Sequence, residues 1–142
     1  MRSKKYVLDA NIWVSYFITN RLTILIETVA INKIRLLYCE ELLDEIERVL
    51  NYPLLKKYKI DIRKAIQFVK SIGVAALIDY PIKQYIPNDE NDSYIVALAL
   101  QQSAGFVTSG DKHILSQKTI LESKYKKRSI LTKAQFEGKF YN

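Results

Sequence analysis

Carboxylates recur along this chain at places where a folded sheet would collect them. Asp9 closes the apolar run KKYVLD near the start, and Asp111 stands just past a later one, FVTSG. Asp89, Glu90 and Asp92 crowd the polar stretch ahead of SYIVALAL, and Glu45 lies within EELLDEIERVL. Each has an ordinary structural role open to it. Asp9 and Asp111 suit strand ends or helix caps, Asp92 suits a helix N-cap, and Glu45 suits a solvated helix face like its neighbours Asp44 and Glu47. Crowded together, the same groups repel one another, and a divalent cation relieves the repulsion. Hard ions such as Mg²⁺ take oxygen ligands and keep water, and Mn²⁺ accepts the same set. An acidic group beneath a basic surface is a layout for cutting a phosphodiester. Cations hold the backbone, while the metal activates water and stabilises charge in the transition state.

The elements that must position these residues follow from apolar spacing. KKYVLD reads as a short buried strand, NIWVSYFITN and LTILIETVAINK as helices, and IRLLYC (residues 34–39) as a second strand. In the second helix Leu22, Leu25, Ile26, Val29 and Ala30 share one side. EELLDEIERVL carries the stripe Leu42, Leu43, Ile46, Val49 and Leu50, with Pro53 just past its end. A helix is expected from about Asp61 to just before Gly73, then a strand over VAALID, then a turn-rich loop, QYIPNDEND. The chain closes with a helix from about Ser93 to before Gly105, a strand FVTSGD, a strand RSILT and a helix KAQFEGKFY. Strands alternating with helices predict an α/β fold with a mostly parallel sheet covered on both faces. Ligands of such sheets bind outside the carboxyl ends of the strands. Asp9, Asp111 and the acids around Asp92 fall at that edge, and Glu45, about a turn and a half into its helix, reaches it too.

The bulk properties agree with one soluble domain over residues 1–142. No apolar run approaches the roughly 20 residues needed to span a bilayer, and no leader pattern follows the basic start. A cytoplasmic location is expected, with no membrane partner. The single cysteine, Cys39, excludes an internal disulfide and reads as a buried small hydrophobe. Net charge is +7, which favours a polyanionic partner. The cations concentrate in Lys112, Lys118, Lys124, Lys126, Lys127, Arg128 and Lys133. Charge by itself does not separate a solvated face from a nucleic-acid contact. The only histidine, His113, suits a helix start better than catalysis, and Trp13, Tyr16 and Phe17 suit core packing better than base stacking.

The ordered motifs LDAN, ELLDEIERVL, NDENDSYIVALAL and FVTSGDKHIL resemble the PIN-domain family, in particular the toxin ribonucleases of type II toxin–antitoxin pairs. ILTKAQF is similar to the family's ending, with Lys133 where a proline often stands. The resemblance covers nearly the whole chain. It implies a three-layer α/β/α sandwich and a Mg²⁺- or Mn²⁺-dependent ribonuclease. Asp9, Glu45, Asp92 and Asp111 match its four acidic positions, as metal ligands and catalytic residues. Asn11, Thr108 and Asp89 match supporting positions, and Asp92 is preferred over Asp89 as the main ligand. Asn91 replaces a common acid, which bears on whether one ion or two are held. The reaction implied is in-line attack of metal-activated water on RNA, leaving 5′-phosphate and 3′-hydroxyl ends. An antitoxin or a second protomer is expected against residues 12–30. The alternatives are a PIN-like RNA-processing enzyme without an antitoxin, a DNA nuclease, a non-catalytic RNA-binding module and a phospho-acceptor receiver domain. The last lacks a clear strand ending in lysine, and no added DNA-binding element favours the second.

Overall fold

The computed structural model describes residues 4–80, 90–108 and 130–140, and for 90–93, 108 and 130 the backbone only. Five strands form one sheet: β1 (Lys4–Leu8), β2 (Ile34–Tyr38), β3 (Gly73–Ala75), β4 (Gly105–Thr108) and β5 (Ile130–Thr132). Every pairing is parallel and the spatial order is β3-β2-β1-β4-β5. From β1 the chain first steps outward on one side, to β2 and β3, and then returns to the other side for β4 and β5. Right-handed connections therefore place their helices on opposite faces, which gives the three-layer α/β sandwich expected from the sequence. The helices are α1 (Ala10–Ile18), α2 (Leu22–Asn32), α3 (Glu40–Leu50), α4 (Ile62–Ile72), α5 (Glu90–Gln101) and α6 (Lys133–Phe140). None among the described residues is long and apolar enough to cross a membrane.

The central strands carry the core. Val7, Leu8, Leu36 and Val107 are fully buried, as are Trp13, Leu42, Ile46 and Leu98 on the helices that cover them. Trp13, Tyr16 and Phe17 all pack inside, as core residues. Tyr6 meets Phe136 and Phe140 of α6 edge to face, with ring centroids 5.4 and 5.3 Å away. Such contacts join the last helix to the first strand.

The helix starts are set by local chemistry. Asp61 caps α4, its carboxylate accepting the Lys64 N–H at 3.1 Å. Thr132 and Gln135 form a reciprocal capping box at the start of α6. The Thr132 hydroxyl accepts the Gln135 N–H at 3.1 Å, and the Gln135 side chain accepts the Thr132 N–H at 2.9 Å. That pair, rather than a proline at residue 133, starts this helix. Lys133 lays its ammonium over the Tyr16 ring, 4.3 Å from the centroid.

Four local expectations change. The strand foreseen over VAALID is β3, which begins at Gly73 and ends at Ala75. Beyond it the Gln101 amide binds both backbone groups of Asp79, at 2.7 and 2.9 Å, and Leu77 is 81% exposed. Backbone groups satisfied by a side chain have no need of a neighbouring strand. A 3-10 helix, Pro53–Tyr58, follows α3 where only a stop was foreseen. On α2, Thr28 is buried, whereas Ile26 and Ala30 are exposed. Thr28 tolerates burial because its hydroxyl donates to the Ile24 carbonyl at 2.7 Å. Finally, α5 begins at Glu90, earlier than Ser93.

Candidate active site

The crevice is built where the strand order reverses. β1 has β2 on one side and β4 on the other, and α1 leaves from its end. Leu8 pairs with Val107 and Val107 with Leu131, while Thr108 pairs with Thr132. One step past Leu8, Asp9 therefore falls in line with Thr108 and Thr132 along the carboxyl edge, neighbouring strands being about 4.8 Å apart. This is the topological switch point at which open α/β sheets place their ligands.

Asp9 is 8% exposed, one of the two buried polar or charged side chains among the described residues. Its Oδ1 accepts the Ile12 N–H at 2.8 Å, so it caps α1. The structural role and the placement at the crevice coincide in one residue. The cap locks the side chain, and the N-terminus of α1 adds the positive end of a helix dipole beside a carboxylate. Asn11, on the first turn of α1, is exposed.

Glu45 comes from α3, which packs against α1. It is half-buried, while Asp44 and Glu47 are exposed. The Tyr94 hydroxyl, arriving from α5, donates a hydrogen bond to Glu45 Oε2. Burial raises the Tyr94 phenol well above its ordinary range. The Glu45 carboxylate reinforces this by its charge and hydrogen bond, and Cys39 and Asp9 add smaller contributions. The phenol is thus a fixed donor to the Glu45 carboxylate. Nothing in the sequence marks Tyr94 as functional, because an aromatic beside an apolar helix stripe reads as core.

Asp92 lies within the first turn of α5. It is therefore inside the helix and not its N-cap, as the earlier helix start requires. Thr108 ends β4. Asp89, Asp111, His113 and the basic stretch 112–128 lie outside the described residues. Among the described residues, no three or more His, Cys, Asp or Glu side chains form a group able to hold a metal ion. The donors described at the crevice, the carboxylates of Asp9 and Glu45, are hard oxygen ligands of the kind Mg²⁺ and Mn²⁺ prefer.

Cys39, at the start of α3, is buried, and burial pushes its thiol up to about 11. It is a packed small hydrophobe rather than a nucleophile. On the far side of α1, Glu137 of α6 takes a hydrogen bond from Tyr16 at 3.2 Å and pairs with Arg21 at 2.8 Å. That network braces α6 against α1 and the turn that follows it.

A PIN domain family model matches residues 5–113 of the chain. Among solved structures, the chain is similar to VapBC2 from Rickettsia felis, crystallised bound to a DNA fragment from its promoter. The TM-score is 0.56 at 14% identity, with 90% of this chain and 98% of that chain covered. A likeness at that identity speaks to the fold. No curated protein matches the chain.

Proposed function

Because the chain belongs to the PIN-domain family, we propose that it is a Mg²⁺- or Mn²⁺-dependent endoribonuclease and the toxin of a toxin–antitoxin pair. The observation that carries the reading is Asp9, buried at the carboxyl edge of the sheet, with Glu45 held by the Tyr94 hydroxyl within electrostatic reach of it. A buried carboxylate at that edge, joined by a second from another helix, suits a cation better than it suits packing.

Asp9, Glu45, Asp92 and Asp111 hold the ion in this reading, directly or through water, and Asn11, Thr108 and Asp89 support them. When bound, the ion supplies an acidified water and positive charge at the scissile phosphate. Asp9, rigid through its cap, fixes one side of the site, and Glu45 orients from the other. The basic stretch 112–128 and Lys133 attract the RNA backbone. Exposed Ile26 and Ile31 on α2 offer apolar contact to an antitoxin or to a second copy of the chain. Trp13, Tyr16 and Phe17 are committed to the core, which narrows the interface expected over residues 12–30 to α2. The similarity to a VapBC2 complex supports an antitoxin partner. The whole of residues 1–142 acts as one cytoplasmic domain in this reading.

The test is cleavage of a mixed RNA pool by purified protein with Mg²⁺ or Mn²⁺, beside EDTA and an Asp9→Asn, Asp92→Asn double variant. Metal-dependent cutting that the variant lacks is expected. Equal cutting by wild type and variant would assign the activity to a contaminant. RNA binding without cutting by either would favour a binding module.

A further inference from the structure

We infer that Tyr94 is a positioning residue for the acidic crevice: its hydroxyl holds the Glu45 carboxylate in place, and affinity for a divalent cation depends on that bond. The inference rests on the metal-site reading above and adds a residue to it. The two carboxylates are held by different means. Asp9 has a short side chain already fixed by the Ile12 N–H at 2.8 Å. Glu45 projects from the middle of α3 on a long side chain whose rotamers are free unless something holds them. The Tyr94 hydroxyl supplies that hold, from a different helix, and the ring behind it is partly buried, so the donor is itself anchored. A neutral donor can steady a carboxylate without cancelling its charge, whereas a lysine at the same place would compete with the cation. Hydrogen-bonded partners of metal ligands act in this way, and their loss typically weakens metal binding by about 10- to 100-fold.

The simpler account is that a buried phenol took the nearest acceptor. The two accounts differ in what a cycle of variants shows. Mn²⁺ binding is titrated calorimetrically to wild type, Tyr94→Phe, Glu45→Gln and the double variant, with thermal unfolding of each metal-free protein alongside. Tyr94→Phe keeps the ring and is expected to remain folded while binding Mn²⁺ about tenfold more weakly. The double variant is expected to bind no worse than Glu45→Gln alone, because Tyr94 acts only through Glu45. Unchanged Mn²⁺ affinity in Tyr94→Phe, beside a wild type that binds, would overturn the role of Tyr94 and leave the metal site standing. An additive loss in the double variant would overturn it as well. A wild type that takes up no Mn²⁺ would overturn the metal site, and this role with it.

Discussion

The backbone N–H of Asp9 donates to the carbonyl of Val107 at 2.9 Å. This bond extends the β1–β4 ladder one residue past the end of the strand, and it ties the crevice carboxylate to the far wall of the switch point. Asp9 is thereby held by its main chain on one side and by its cap on the other. A carboxylate fixed in this way needs no reordering when it meets a ligand.

Cap and charge at Asp9 are separable by substitution. Asparagine caps helices about as well as aspartate, so Asp9→Asn is expected to change stability by only about 0.5 kcal/mol or less. Asp9→Ala is expected to cost about 1 kcal/mol more through loss of the cap. Both remove the charge, so both should lose RNA cleavage by at least about 100-fold if the residue holds the cation. Urea unfolding read beside a cleavage assay separates the two roles.

Gly73 starts β3 at a close approach. A Cβ there would come within 2.7 Å of both Tyr38 Cδ1 and the Val69 carbonyl oxygen. The ring has some room to turn, but the backbone oxygen at the end of α4 has little. Gly73→Ala is expected to destabilise by about 1–3 kcal/mol, measurable as a lower denaturation midpoint with an unchanged slope.

Alkaline stability follows from the buried thiol. Burial moves Cys39 from 9.0 to about 11 in the folded protein, so above pH 9 the unfolded chain releases a proton that the folded one keeps. This contribution is complete below pH 9 and is lost as the pH rises towards 11. Tyr16 and Tyr94, raised first by their burial, add a similar loss from about pH 10 upward. Cys39→Ala should therefore flatten the fall in stability between pH 9 and 11 without abolishing it. Unfolding midpoints across that range check the sign. Alkylation of the native thiol at pH 8 should be slow.

Cation binding should appear as stability. Mn²⁺ at about 100 times its dissociation constant is expected to add roughly 2.7 kcal/mol to unfolding, and EDTA should reverse the gain without unfolding the protein. The apolar core is built without the crevice acids, so the metal-free chain stays folded. A melting temperature unmoved by Mn²⁺ would argue against binding.

What could be read from the sequence depended on how local the cause was. Asp9 and Asp61 announced themselves because an N-cap is written within a few residues of the helix it starts. The central strands were legible because continuous apolar runs have few other uses. The end of β3 was not, since Gln101, distant in sequence, satisfies the backbone of Asp79. The buried side of α2 is not legible at Thr28, where an internal hydrogen bond makes a polar residue acceptable inside. Tyr94 was hidden for a related reason: its hydroxyl matters only once α3 and α5 lie side by side. The placement of Asp111 and Asp89 and the part played by the basic stretch 112–128 rest on the sequence and the family.

The strand order also has a consequence in time. β2 and β3 are synthesised soon after β1 and flank it on one side, whereas β4, its other neighbour, comes much later in the chain. Until Val107 has emerged from the ribosome, Asp9 lacks that partner and the crevice has a single wall. Completion of the edge at Asp9 therefore waits for β4, and no shorter nascent chain presents both walls.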